Sequence, residues 1–337
     1  MLLMTKLYKS VIIFLLSILT GNALAQLQEH TEVVKLMGSK FELTAVSESQ
    51  LRNQEAVTAG IQEIRRIEAL ISSWDPKSQT SAINQAAGQQ AIKVDQELIG
   101  LILRAQKVSK LTQGSFDISY AALDPIWRFD GSMIELPDSN QIKASVEHIN
   151  YQNIQVDAPQ STVFLKEIGM KIGFGAIGKG YAANRASKVM HDLGIRNGLV
   201  NAGGDLLAWG RQASGEPWRI GIVDPNDREK IYAWLEINNK SVVTSGDYER
   251  FVQFDGVRFA HVIDPKTGYP VRHTKSVTVV SPDAELSDAL ATAVFVMGPV
   301  SGMELVDRLK SVECLIVSAD NQIYTSKNLE LNFKHKP

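Results

Sequence analysis

The chain has 337 residues, with 35 Lys+Arg against 37 Asp+Glu for a formal charge of −2, and 44% apolar residues. That length supplies one large domain or two ordinary ones with ample core, and the near-neutral charge argues against a nucleic-acid binder, which needs a basic excess or stripe. A single cysteine, Cys314, excludes an internal disulfide framework and a Cys-based zinc cluster, and the six histidines show no H-E-x-x-H spacing.

Residues 1–25 read as a secretory signal. Lys6 and Lys9 form the positive start, residues 11–19 an apolar run, and Ala23-Leu24-Ala25 an A-x-A cleavage site. The run is shorter than the roughly 20 apolar residues a membrane-spanning helix needs. An exported, periplasmic protein is therefore expected, with an uncleaved inner-membrane anchor as the lesser alternative. Residues 33–46 then alternate as a strand interrupted at Met37-Gly38-Ser39. Val57, Ile61, Ile64, Ile67, Leu70 and Ile71 predict a helix over 55–71, ended by Ser72-Ser73-Trp74-Asp75-Pro76. A second amphipathic helix is predicted over 98–111, stopped near Gly114, and a third over 179–193 with Gly194 beyond it. Strand-like runs fall at 162–165, 198–201, 218–223, 234–237, 241–244, 251–254 and 276–280. Late helices are expected at 284–297 and 303–309, and a closing strand at 313–318 that would bury Cys314. Strands come in runs rather than in strict β-α-β alternation, which predicts an α+β fold.

The densest glycine stretch is Gly173-Phe174-Gly175-Ala176-Ile177-Gly178-Lys179-Gly180. It fits G-x-x-x-x-G-K but carries Gly180 where a P-loop has the magnesium-binding Ser or Thr. Placed before a helix, its N–H groups and Lys179 can face an anion; a tight turn packed by glycine is the alternative. Asn201-Ala202-Gly203-Gly204-Asp205 and Thr244-Ser245-Gly246-Asp247-Tyr248 repeat a strand-end pattern of glycine and acid. His261 opens a Pro/Gly-constrained loop, H-V-I-D-P-K-T-G-Y-P, in which Asp264 could orient the imidazole or merely shape the turn. Asp288 and Thr292 lie four residues apart on one helical face among alanines, and hard oxygens of this kind suit magnesium.

Together these segments resemble the ApbE family, the FAD:protein FMN transferases. The resemblance runs in order from Met37-Gly38 to the helix after Gly298. It includes S-x-W-x-P with Asn84, Gly114-Ser115-Phe116-Asp117, G-A-I-G-K-G-Y-A, N-A-G-G-D, P-W-R-I-G-I-V-D-P, T-S-G-D-Y, the His261 loop and D-A-L-A-T. It implies a single α+β domain over residues 30–334, with mixed and antiparallel sheets flanked by helices. The implied reaction is a magnesium-dependent transfer of FMN from FAD to a threonine hydroxyl of an acceptor flavoprotein, such as a respiratory redox subunit near the inner membrane, with release of AMP. By the same resemblance the Ala176 carbonyl, Asp288 and Thr292 would hold the metal, and Lys179 and His261 would be catalytic. Met37, Trp74, Asp117, Lys179, Ser245, Gly246, Asp247 and His261 would line the FAD site. Trp74 could stack on a flavin ring or close the core beneath its helix. Three positions depart from the family pattern: Gly173 and Asn184 stand where acids are common, and Gln79 replaces an acid after Ser78. Two other readings share these residues, an FAD pyrophosphatase giving FMN and AMP, and an exported flavin-binding protein without turnover.

Overall fold

The computed structural model describes residues 26–333, so the expected signal segment lies outside the described residues. The chain enters as β1 (Gln28–Leu36) and β2 (Ser39–Ser47), which pair antiparallel from Gln28–Ser47 to Leu36–Ser39. Met37-Gly38 is thus not an interruption in one strand but the two-residue turn of a hairpin. Both residues have positive φ, 48° and 70°, as a turn matched to strand twist requires. Then come α1 (Gln50–Ile71), α2 (Gln79–Gln85), β3 (Ile92–Lys93), α3 (Gln96–Leu111) and α4 (Ser139–Val146). A 3-10 turn over Ile118–Leu123 separates α3 from α4. The hairpin β4 (Ile154–Asp157) and β5 (Thr162–Leu165) precedes α5 (Gly178–Asp192).

The second half carries β6 (Asn197–Ala202), β7 (Asp205–Trp209), β8 (Trp218–Asp224), β9 (Asp227–Ile237) and β10 (Lys240–Gly246). A short hairpin follows, β11 (Phe251–Phe254) and β12 (Val257–Ala260), then β13 (Thr274–Ser281) and α6 (Ala284–Val306). Inside α6, Gly298 breaks the helical path at φ 79° before Pro299, so the two expected late helices abut at a kink. The strand β14 (Glu313–Ser318) does not close the fold; β15 (Ile323–Thr325) and β16 (Asn332–Phe333) come after it.

Eight strands form one sheet in the order β1-β2-β6-β7-β10-β13-β14-β15, antiparallel at every pairing. Helices α1, α5 and α6 cover one face, where Phe41, Leu43, Val200 and Val243 join their apolar sides. The small sheet β16-β9-β8 covers the other, meeting Val46, Leu199, Val242, Val280 and Leu315. Burial on both faces explains apolar neighbours such as Val242-Val243 and Val279-Val280, which point into different cores. Cys314 is fully buried on the helix side, and burial pushes its thiol well above the ordinary range.

Candidate active site

The site is built where α5 starts and α6 crosses it. Asn84 brackets the irregular entry to the glycine loop: its Nδ2 donates to the Ile172 carbonyl at 2.9 Å and its Oδ1 accepts from the Ile172 N–H at 2.8 Å. The loop 173–177 then folds on itself, with the Gly178 N–H donating to the Phe174 carbonyl at 2.7 Å. Ile177 at the N-cap offers α5 no side-chain acceptor, so the first-turn N–H groups beyond Gly178 need a partner from outside the helix, at its positive dipole end. Asp288 of α6 supplies what the cap lacks: its Oδ2 accepts from the Gly180 N–H at 3.0 Å. Gly180 permits that approach. A Cβ there would overlap the Ala284 carbonyl oxygen and stand 2.9 Å from Asp288 Cβ. The residue that fails the P-loop pattern is therefore a helix-crossing contact.

Lys179 projects from the same turn onto Asp205 at the start of β7, with Nζ 2.5 Å from Oδ2. Asp205 is 2% exposed and the lysine side chain 28% exposed. Burial presses the ammonium toward neutrality, but Asp205 and Asp288 outweigh it and raise Lys179 above its ordinary value. Asp288 is itself pushed up to about 7, first by burial and next by repulsion from Asp205. Glu249 adds a third negative charge acting on the same lysine. One cation thus faces an excess of carboxylate, an arrangement that calls for further positive charge before any anion is bound. Asp288, Thr292 one turn beyond it, and the Ala176 carbonyl offer hard oxygen donors of three kinds. Among the described residues no group of three His, Cys, Asp or Glu side chains could hold a metal alone.

His261 follows β12. Its Nδ1 lies 3.2 Å from the Arg250 carbonyl and its ring meets Phe129 edge-on at 6.4 Å. A carbonyl can only accept, so Nδ1 carries the proton and Nε2 keeps its lone pair. Burial, with the Lys179 and Arg250 charges, lowers His261 to about 4, so the ring is neutral at physiological pH. Asp264 does not orient it. The Asp264 carboxylate instead accepts from the Lys266 N–H at 2.9 Å, and its backbone closes the turn to Gly268 and Tyr269.

The other motif residues divide. Met37 reaches the site: its N–H donates to Glu68 Oε1 at 2.8 Å, and its Cε lies 3.5 Å from where a Gly178 Cβ would be. Trp74 is 78% exposed, so it closes no core and its indole is free to stack. Asp117 is buried and its carboxylate already serves the fold, accepting from Ser119 N, Ser119 Oγ and Tyr151 N at 2.6–2.8 Å. Ser245 and Gly246 end β10 opposite Val277 and Ser276. Asp247 lines a cavity of about 290 Å³ with Arg258, Arg272 and Thr274, its Oδ1 3.6 Å from Arg258 Nη1. A larger cavity, about 490 Å³, contains none of the motif residues; it lies against β4 and β5, by Gln155 and Phe164.

Two departures from the family pattern have structural work. Asn184 Nδ2 donates to Asp283 at 2.7 Å while its Oδ1 accepts from the Ala284 N–H at 3.1 Å; an acid there would face the Asp283 carboxylate. Gln79 pairs twice with Asp95, the residue preceding α3, at 2.6 and 2.7 Å. Sequence reasoning missed the partners rather than the motifs. Asp205 was visible in N-A-G-G-D, but its pairing with Lys179 had no local signal, and the Arg250 carbonyl has none at all.

With this geometry in view, a model described as the ApbE family matches residues 37–316. The chain belongs to the ApbE family. A Klebsiella pneumoniae protein named FAD:protein FMN transferase is 32% identical over 279 residues, covering 81% of this chain and 79% of its own. A Treponema pallidum protein of the same name is 29% identical over 325 residues, covering 90% and 89%. Among solved structures, the ApbE protein from Thermotoga maritima superposes with a TM-score of 0.83 at 32% identity, covering 89% of this chain and 97% of that one. The flavin transferase ApbE from Vibrio cholerae, at 23% identity and a TM-score of 0.81 over 89% and 98%, shares the ApbE fold.

Proposed function

We propose that this chain is a magnesium-dependent FAD:protein FMN transferase, moving the FMN half of FAD onto a threonine hydroxyl of an acceptor flavoprotein and releasing AMP. The observation that carries the reading is the lysine at the start of α5 held among Asp205 and Asp288, with a neutral His261 near enough to feel its charge. Met37, Trp74, Ser245, Gly246 and Asp247 would bind the flavin nucleotide, with Asp117 supporting the turn behind it. His261 Nε2 takes the proton from the threonine hydroxyl, a poor nucleophile at neutral pH. The hydroxyl oxygen bonds to the phosphorus of the FMN half as the bond from that phosphorus to the bridging oxygen breaks, and AMP leaves. Lys179 shares the charge on the phosphate oxygens through this exchange. Magnesium, held by the Ala176 carbonyl, Asp288 and Thr292, would neutralise the pyrophosphate and act as a Lewis acid.

The N-terminal signal pattern supports an exported, periplasmic location, where an acceptor exposed near the inner membrane would be within reach. The test is to incubate the purified protein with FAD, Mg2+ and candidate acceptors, then to search by mass spectrometry for a threonine carrying FMN and to measure AMP. Covalent FMN with equimolar AMP is expected. AMP without covalent flavin would make water the acceptor, and neither product from protein that binds FAD would leave only flavin binding; both outcomes overturn the proposal.

A further inference from the structure

Gly173 and Gly175 flank Phe174 in the loop before α5, and neither has the positive φ that would demand glycine. What stands beside them is Tyr120. A Cβ built on Gly175 would lie 2.5 Å from the Tyr120 hydroxyl oxygen but 3.8 Å from the ring carbon bearing it. The hydroxyl alone forbids a side chain there. A Cβ on Gly173 would lie 3.7 Å from the same oxygen and from Ser73 Oγ, and 3.1 Å from Ala121 Cβ. The Tyr120 oxygen accepts from the Gly175 N–H and feels the negative charges of Asp124 and Asp288.

The tyrosine is held firmly. Asp117 caps its 3-10 turn through Ser119 and ties that turn to Tyr151. The Gly173 N–H donates to the Ile118 carbonyl at 2.9 Å, joining turn and loop. A rigid support therefore carries one phenol oxygen into the space of the side chain absent at Gly175, next to Ala176.

We propose that Tyr120 is a positioning residue: by seating its hydroxyl against Gly175, it sets the Ala176 carbonyl relative to Asp288 and Thr292. This rests on the reading of those three residues as the metal ligands. It also gives the motif residue Asp117 a task, since the buried carboxylate holds the turn that holds the tyrosine.

The experiment compares wild type, Tyr120→Phe, Gly175→Ala and the double variant. Thermal unfolding is measured without ligands, Mn2+ affinity is measured without FAD, and FMN transfer is measured last. Gly175→Ala is expected to lower Tm by about 2–5 °C in the wild type, the usual scale of overpacking. In the Tyr120→Phe background it should cost less than about 1 °C, because a 3.8 Å contact is ordinary. Tyr120→Phe should weaken Mn2+ binding about three- to tenfold, the net worth of one hydrogen bond, with Tm nearly unchanged. Equal losses from Gly175→Ala in both backgrounds, or wild-type Mn2+ affinity in Tyr120→Phe, would overturn the proposal. Wild type that bound no Mn2+ would overturn it together with the metal assignment. Wild type that bound Mn2+ yet transferred no FMN would overturn only the transfer reading, since the first two measurements would still decide the role of Tyr120.

Discussion

Replacing Asp205 with Asn tests the charge arrangement directly. The substitution keeps the shape of the side chain and removes the charge that sits 2.5 Å from Lys179 Nζ. Breaking a buried pair by neutralising one partner typically costs about 3–5 kcal/mol, because the other charge stays buried and uncompensated. Two features of the site place this case at the lower end, about 3 kcal/mol. The lysine side chain is 28% exposed, and Asp288, relieved of repulsion from Asp205, would ionise more readily and take over part of the pairing. For a fold of roughly 300 residues that loss corresponds to a fall in Tm of about 5 °C. The assay is thermal unfolding at pH 7 of Asp205→Asn, Lys179→Met and the double variant. Lys179→Met should cost less than Asp205→Asn, since a buried Asp205 without its partner can take up a proton. The double variant should recover at least half of the Asp205→Asn loss. A fall below about 1.5 °C in Asp205→Asn, or strictly additive losses in the double variant, would refute the view that the pair is a coupled, desolvated unit.

Other measurements probe separate parts of the site. Because burial lowers His261 to about 4 while the unfolded chain titrates near 6.5, the folded protein binds fewer protons in that window, so its stability falls as pH drops from 6.5 through 4. Comparing wild type with His261→Gln in urea at pH 7 and pH 4 should show a pH-dependent difference of up to about 3 kcal/mol; a constant difference would contradict the burial argument. Gly180→Ala should cost about 3 kcal/mol in urea unfolding by forcing α5 from α6, and a neutral result would mean the helices part freely. Trp74→Ala should leave Tm within about 1 °C, since the exposed indole supports no core. The same variant should weaken FAD binding about three- to tenfold by fluorescence titration, the range of an aromatic stack; unchanged FAD affinity would remove Trp74 from the site.

Much of the fold was legible where one physical signal dominated. The apolar period over residues 55–71 and 98–111 marked α1 and α3, whose C-terminal ends are Ile71 and Leu111 as expected. Strands β5, β11 and β14 run over the expected residues. Hidden elements were those set by caps and turns. Helix α2, QTSAINQ, has little apolar stripe and starts because Ser78 accepts from the Ser81 N–H; α4 starts because Asp138 accepts from Asn140 and Gln141. Met37-Gly38 lacks the Asn or Asp that advertises a tight hairpin, so in sequence it looks like an irregularity within one strand. In the site, Lys179 and Asp288 were marked by glycine loop and helical spacing. Their mutual arrangement was not, because Asp205 arrives from another strand and the partner of His261 is a main-chain oxygen, which every residue possesses.

The bond from the Gly180 N–H to Asp288 spans 108 residues, and it bears on how the site comes into being. A chain synthesised from its N-terminus presents the glycine loop, Lys179 and the open start of α5 long before α6 exists. Until then Lys179 meets only Asp205 and Glu249, and the Gly180 N–H stays open to anions. The arrival of Asp288 fills that N–H and adds a further carboxylate beside Asp205. Unfinished chains would therefore present a loose electrostatic trap for anions, and on the proposed function only the completed protein would make nucleotide binding conditional on a metal.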